Sequence, residues 1–276
     1  MKYRFAGISR KTEFSPKHEV NDLMILTLTA ENLKSSGAEV NIYDESMIDN
    51  GVVKEKFIFS MVQGPAGIAR LRSICRNAAW SINSPESVFA CYRMNMLRLL
   101  PASGIPIPRS MIISSSAGIN GEVSQFASEK LWLKRGDVHA VKQGDVISIT
   151  TSQESVNSYL KEFRERKIDK VILQEHLPGD VIKFYGVRET GFFYWYYTEM
   201  NEKNAFNAEE MRALAETSAE VLGLYVYGGD AITGKDGCIT VIDINDWPSF
   251  APVREEAARN IAQLLLKKAD EYGHDN

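Results

Sequence analysis

Cysteine is scarce in this chain. Three residues, Cys75, Cys91 and Cys238, are too widely spaced and odd in number to build a disulfide framework. The four histidines stand at no ligand spacing from them, so no zinc pattern forms, and the thiols are expected to be reduced. A basic excess is lacking too. With 32 Lys and Arg against 36 Asp and Glu, the formal charge is −4 and the pI is near 5.7, which leaves no electropositive footprint for nucleic acid. No apolar run approaches the length of a bilayer span, and no charged-then-apolar signal opens the chain. Internal repeats and low-complexity tracts are missing. These absences predict a soluble, cytoplasmic protein with neither nucleic acid nor membrane among its partners.

What is present is ample for a folded core: 276 residues, 44% hydrophobic and 25% charged, fitting a unit of two or three lobes. Periodicity predicts an α/β plan. Tyr3 to Ile8 reads as a strand, and Leu23, Leu26, Ala30 and Leu33 repeat at helical spacing from about Glu19 until Gly37 stops the helix. Val40 to Tyr43 and Phe57 to Val62 read as further strands, an alternation that predicts a parallel, Rossmann-like lobe. No Gly-x-Gly-x-x-Gly follows the first strand, which argues against a dinucleotide site. Proline and glycine punctuate the chain from Pro101 to Pro108. Beyond them come predicted strands at Ser110 to Ser114, Leu131 to Lys134, Val146 to Thr150, Val171 onward, Val181 to Val187 and Phe192 to Tyr197. Helices are predicted from Ser155 to Arg164, Glu209 to Leu222 and Pro252 to Lys268. The expected units are 1–100, 101–172 and 173–276.

The most informative stretch is Tyr227-Gly228-Gly229-Asp230-Ala231, followed after the Gly234 to Gly237 turn by Ile239-Thr240-Val241-Ile242-Asp243-Ile244-Asn245-Asp246-Trp247-Pro248. A hairpin of this shape brings Asp230 close to Asp243 and Asn245, because residues two apart on a strand share a face. Hard oxygen ligands converging in this way suit Mg²⁺, with Mn²⁺ as a substitute, and the shell would be completed by nucleotide phosphates. The expected ligand is Mg-ATP.

These residues resemble the ATP-grasp superfamily, in which an acidic residue and a downstream acid-x-Asn element hold magnesium on the triphosphate. The resemblance runs from about Trp80 to Ala262 and extends to other segments. Val171-Ile172-Leu173-Gln174-Glu175-His176-Leu177-Pro178-Gly179-Asp180 looks like the hinge that reads adenine. By that resemblance Gln174, Glu175 and Leu177 would contact the base, and Asp180 the ribose. Lys134 matches the strand lysine on phosphate. Arg93, in Tyr92-Arg93 ahead of the Gly104-Ile105-Pro106-Ile107-Pro108 turn, stands where the family has a lysine. Ile82-Asn83-Ser84-Pro85 resembles its strand-end Asn-Ser-Pro. Lys183, shortly after the hinge, stands where the family often carries a basic residue facing the triphosphate or the acceptor, which makes it a candidate for both nucleotide binding and catalysis; Arg188 is a further catalytic candidate.

Two departures qualify the likeness. The glycine-rich phosphate loop is reduced to Arg135-Gly136-Asp137-Val138-His139, which leaves closure to side chains such as Arg135, His139 or Lys142. Trp247-Pro248-Ser249-Phe250 replaces the usual Ser-Pro-Gly. The resemblance implies an ATP-grasp fold behind an N-terminal Rossmann-like lobe, with that lobe shaping the acceptor pocket. It also implies a ligase of the ribosomal-protein glutamate ligase or D-alanine:D-alanine ligase type, joining a carboxylate to an amine or thiol through an acylphosphate. A small-molecule kinase resembling the inositol-phosphate kinases and a non-catalytic ATP-binding module are the alternatives. The acceptor, small molecule or peptide, is not legible, and self-association is compatible with the sequence.

Overall fold

A computed structural model describes residues 3–15, 18–48, 51–76, 79–138, 144–199 and 203–274. Strands β1 (Arg4–Ser9), β2 (Glu39–Asp44), β3 (Phe57–Ser60) and β4 (Trp80–Ile82) form a wholly parallel sheet of order β2-β1-β3-β4. Phe5, Ala6 and Ile8 of β1 are all fully buried, as a strand covered on both faces requires. Helix α1 (Glu19–Ser35) lies against this sheet with Ile25, Leu26, Thr29, Ala30 and Leu33 inward, and Gly37, at φ +90°, ends it. Leu23 departs from expectation: it is 54% exposed. The inward face instead passes through Asp22, which turns in to meet Arg10. Helix α2 (Pro65–Cys75), opened by a proline at its first turn, was not legible in the sequence.

Two short helices, α3 (Pro85–Ala90) and α4 (Arg93–Ala102), lead to the second sheet. It comprises β5 (Ser110–Ser114), β6 (Lys130–Arg135), β7 (Val146–Thr150) and β8 (Lys170–Glu175) in the antiparallel order β5-β8-β6-β7, with α5 (Gln153–Glu165) between β7 and β8. The chain therefore stays in this sheet through Glu175. The third sheet, also antiparallel, has the order β10-β9-β11-β12 and is built from β9 (Asp180–Val187), β10 (Phe192–Tyr197), β11 (Val226–Thr233) and β12 (Ile239–Asp246), with α6 (Ala208–Val221) between β10 and β11. The last helix, α7 (Arg254–His274), starts two residues later than its sequence pattern predicts.

One continuous core ties the first sheet to the third. Ala258, Ile261 and Leu265 of α7 pack in a cluster that contains Phe5 and Phe59 on one side and Tyr185 and Val226 on the other. Asn83 staples the same junction. Its Nδ2 donates to the Val226 carbonyl (2.7 Å) and to Asp246 Oδ1 (2.6 Å), while its Oδ1 accepts from the Tyr225 and Val226 amides. Among the described residues no helix is long and apolar enough to cross a membrane.

Candidate functional site

Two cavities meet at the β11–β12 hairpin. The larger, about 500 Å³, opens between the second sheet and the hairpin; the smaller, about 340 Å³, opens between the loop after β1 and the hairpin's end. Arg93, the first residue of α4, lines both.

The hairpin sets its polar side chains by register. Asp230 pairs directly with Asp243, and Gly228 with Asn245. Between Asp230 and Ala231 the pairing shifts by one residue, so Ile242 is the extra residue of a bulge, and both it and Asp243 reach the larger cavity. Gly229 is obligatory here, since a Cβ would collide with the Asp243 carbonyl and the Phe184 ring. Asp230 and Asp243 line the larger cavity and Asn245 the smaller, so the three expected metal ligands straddle the boundary. Burial raises the Asp230 carboxyl above its ordinary range, partly offset by Lys183.

Three cations surround these carboxylates. Lys183 Nζ lies 3.1 Å from Asp230 Oδ1, and Arg93 Nη2 lies 3.1 Å from Asp243 Oδ2. Lys134, 7% exposed on β6, lines the larger cavity. Desolvation brings its ammonium down to about 8, with Arg93 pushing the same way and Asp243 and Asp230 opposing. Burial is the largest single influence on Lys183 and lowers it, but the charge and hydrogen bond of Asp230, together with Tyr196 and Asp243, leave that lysine raised.

Gln174, Glu175 and Leu177 all line the larger cavity. Gln174 Nε2 is engaged by Ser110 Oγ, Glu175 Oε1 accepts from the Ala127 and Ser128 amides, and the Glu175 amide itself donates to the Arg109 carbonyl. Three of the residues singled out in the sequence are engaged elsewhere in the structure. Asp180 accepts from the Asn204 amide, pairs with Lys203 and does not line the cavity, whereas its neighbours Gly179 and Val181 do. Arg188 stacks over Tyr225, donates to the Leu224 carbonyl, pairs with Glu220 and lines neither cavity. Arg135 is held by Asp137 and Asp145 instead of facing the site. His139 and Lys142 lie outside the described residues.

Other lining residues escaped the sequence reading. Trp132, Val146, Ile232 and Ile242 give the larger cavity its apolar walls, and Glu199 adds a carboxylate. Trp132 had a usable signal: it stands two residues before Lys134 on one strand and so shares its face. In the smaller cavity Arg10, Phe14, Ser15, His18 and Asp22 come from the first lobe. The Arg10 guanidinium is spent on Asp22 (2.9 Å), the Met61 carbonyl (3.1 Å) and the carbonyls of Asp246 and Trp247 (3.3 and 3.0 Å), so it clamps the backbone just beyond Asn245. Trp247 and Phe250 hold left-handed φ values of 41° and 50°. Such conformations are costly for bulky residues and persist because both rings are fully buried, which fixes Pro248 and Ser249 on the cavity wall.

Among the described residues no three His, Cys, Asp or Glu side chains converge as a metal centre. Two carboxylates and an amide nevertheless fit Mg²⁺, which draws the rest of its shell from water and phosphate. Arg93 supplies an independent sign of an anion: its Nε and Nη1 are buried with no hydrogen-bond partner, and buried donors are rarely left so.

No family model and no curated protein matches the sequence. Solved structures do match in shape. A RimK domain ATP-grasp protein from Sphaerobacter thermophilus aligns over 95% of this chain and 99% of its own, with a TM-score of 0.73 at 16% identity. The D-alanine-D-alanine ligase from Coxiella burnetii aligns over 99% and 97%, with a TM-score of 0.75 at 13% identity. That from Bacillus anthracis, solved with ATP, aligns over 99% of both chains, with a TM-score of 0.74 at 12% identity. With a parallel Rossmann-like sheet leading into two antiparallel sheets and the site between them, this protein has the ATP-grasp fold.

Proposed function

We propose that this protein is a Mg-ATP-dependent ligase that activates a carboxylate as an acylphosphate and passes the acyl group to an amine or thiol. The observation that carries this reading is the side chain of Arg93, which lines both cavities and keeps two buried donors unpaired at their boundary. A phosphoryl group passing from a nucleotide in one cavity to a carboxylate in the other would cross that boundary.

The roles follow from position. Trp132, Ile232 and Ile242 would enclose adenine, with Leu177 and the remaining backbone groups of the hinge reading its edge, since the Glu175 amide is already engaged. Lys134 and Arg93 would bind phosphate oxygens. Asp230, Asp243 and Asn245 would hold Mg²⁺, which when bound neutralises phosphate charge. Lys183 would lie beside the reacting carboxylate, and its raised ammonium remains charged at neutral pH. These groups stabilise an in-line displacement by position and charge, with no covalent protein nucleophile. In this reading residues 1–100 shape the acceptor pocket, and 101–172 and 173–276 enclose the nucleotide.

The chemistry balances simply. The carboxylate oxygen takes the γ-phosphoryl group and ADP leaves; the amine or thiol then adds to the acyl carbon and inorganic phosphate leaves. A panel of carboxylates and amines assayed for ADP and phosphate tests this directly. A ligase releases both in equal amounts and, given the carboxylate alone, yields a hydroxamate with hydroxylamine. ADP formed with phosphate retained on an alcohol would make the protein a kinase, and ATP binding without turnover would make it a non-catalytic module.

A further inference from the structure

The third sheet ends in an edge strand built wholly of aromatic residues. Strand β10 reads Phe192-Phe193-Tyr194-Trp195-Tyr196-Tyr197, six consecutive aromatics with no charge, proline or bulge. These are the devices that normally blunt an exposed sheet edge. The edge strand β2 of the first sheet begins with Glu39 and ends with Asp44, whereas the edges β5 and β7 of the second sheet are uncharged like β10 but carry no aromatic residue.

The hydrogen-bond parity of the sheet tells which groups the edge presents. The Thr198 amide donates to the Val181 carbonyl, and Arg188 to the Tyr225 carbonyl. In the β9–β10 register, Tyr196, Tyr194 and Phe192 therefore exchange bonds with β9, and the amides and carbonyls of Phe193, Trp195 and Tyr197 point away from the sheet. Among the described residues no backbone partner takes the amides of these three. A row of alternate free donors and acceptors on a straight strand is satisfied by another strand.

We propose that this edge pairs antiparallel with β10 of a second copy of the chain, joining two four-stranded sheets into one of eight strands across a two-fold axis at Trp195. A two-fold pairing sets each strand against itself, so it requires a sequence in which no like charges meet; six uncharged aromatics meet that condition. The parity fixes the register. Phe193 faces Tyr197 of the second copy, Trp195 faces its own mate, and each pair adds an aromatic cross-strand contact to the backbone bonds. Five of the six side chains are half-buried in the single chain, leaving aromatic surface for the second copy to cover. Pairing here leaves both cavities open, because no residue of β10 lines either.

The test uses the full chain and two paired variants in sedimentation across a concentration series. Phe193→Lys with Tyr197→Lys sets like charges opposite each other at both ends of the pairing, and should weaken the dimer about tenfold or more. Phe193→Lys with Tyr197→Glu makes the same two losses but sets opposite charges face to face, and should keep the dimer. Both variants lose the Tyr197 hydroxyl bond to the Asn204 carbonyl equally. Hydrogen exchange on the unmodified chain reads the edge without any substitution: the amides of Phe193, Trp195 and Tyr197 should gain protection as concentration rises. A chain that stays monomeric throughout, a dimer indifferent to the two charge patterns, or edge amides protected equally in the monomer would each overturn the proposal.

Discussion

Arg93 Nη2 lies 3.1 Å from Asp243 Oδ2, with side chains only 8% and 12% exposed, and beside this pair Lys183 Nζ lies 3.1 Å from Asp230 Oδ1. Each carboxylate proposed to hold Mg²⁺ thus carries its own cation. Mg-ATP brings both an anion for the cations and a cation for the carboxylates, so binding would exchange partners without leaving a buried charge alone.

Breaking the Arg93–Asp243 pair from one side should therefore be costly. Arg93→Ala leaves the Asp243 carboxylate in a buried site without its guanidinium, a change that typically costs about 3–5 kcal/mol. Removing both charges, as in Arg93→Met with Asp243→Leu, should recover most of that loss because the desolvation of each group disappears with it. Chemical denaturation of the three variants measures this. A double variant no more stable than Arg93→Ala would mean that the pair is not the source of the effect.

Mg-ATP should stabilise the fold by about 2.7 kcal/mol at one hundred times its Kd, and chelating the metal should abolish most of the gain. Asp243→Ala and Asn245→Ala should weaken Mg-dependent binding by roughly 10- to 100-fold. Lys134→Ala should weaken ATP and leave adenosine nearly unchanged, since its ammonium is proposed to meet phosphate alone. Thermal shift and calorimetry with ATP, ADP and adenosine separate these effects; equal losses for ATP and adenosine would assign Lys134 to the fold.

The parts of the site that the sequence made legible are those fixed by short-range geometry. Asp230, Asp243 and Asn245 come together because a tight turn joins their strands and alternation puts Asp243 and Asn245 on one face. Lys134 stood out as a charge inside an apolar strand. Asp180 and Arg188 lie off both cavities because their orientation is decided by partners far along the chain: Lys203 and Asn204 for the first, Glu220, Leu224 and Tyr225 for the second. Leu23 failed for the same reason, since the Arg10–Asp22 pair rotates the inward face of α1. The apolar wall of the larger cavity was hidden differently: Val146, Ile232 and Ile242 look like ordinary strand residues until three strands converge.

Glu45 offers a pH test away from the site. It is 1% exposed, packed where Gly67 leaves room in the first turn of α2, and burial raises its carboxyl despite the Lys11 amide that donates to it. The folded protein therefore holds this proton at a pH where the unfolded chain has released it. The Glu45 contribution is most favourable below the unfolded value of about 4.3, and declines as pH rises through the window up to the raised folded value. Glu45→Gln should flatten that decline and be the more stable protein at pH 7, with the difference vanishing toward pH 4. Denaturation midpoints of both proteins across this range check it.

Lys183 and Arg188, the two cations implied as catalytic by the sequence, should now separate. Lys183 lines the smaller cavity and pairs with Asp230, whereas Arg188 is committed to Leu224, Glu220 and the Tyr225 ring. Lys183→Met should lower kcat by at least about 100-fold, the scale on which one charge-stabilising group acts. It should change ATP affinity far less, because its proposed place is beside the acceptor. Arg188→Met should leave kcat within about twofold and act on stability instead, through the loss of a stacking contact and a carbonyl bond worth about 1–2 kcal/mol together. Turnover, ATP binding and denaturation measured on both variants distinguish the roles. An Arg188→Met protein that binds ATP and stays folded but no longer turns over would return Arg188 to the chemistry and require the chain after β9 to move toward the cavity.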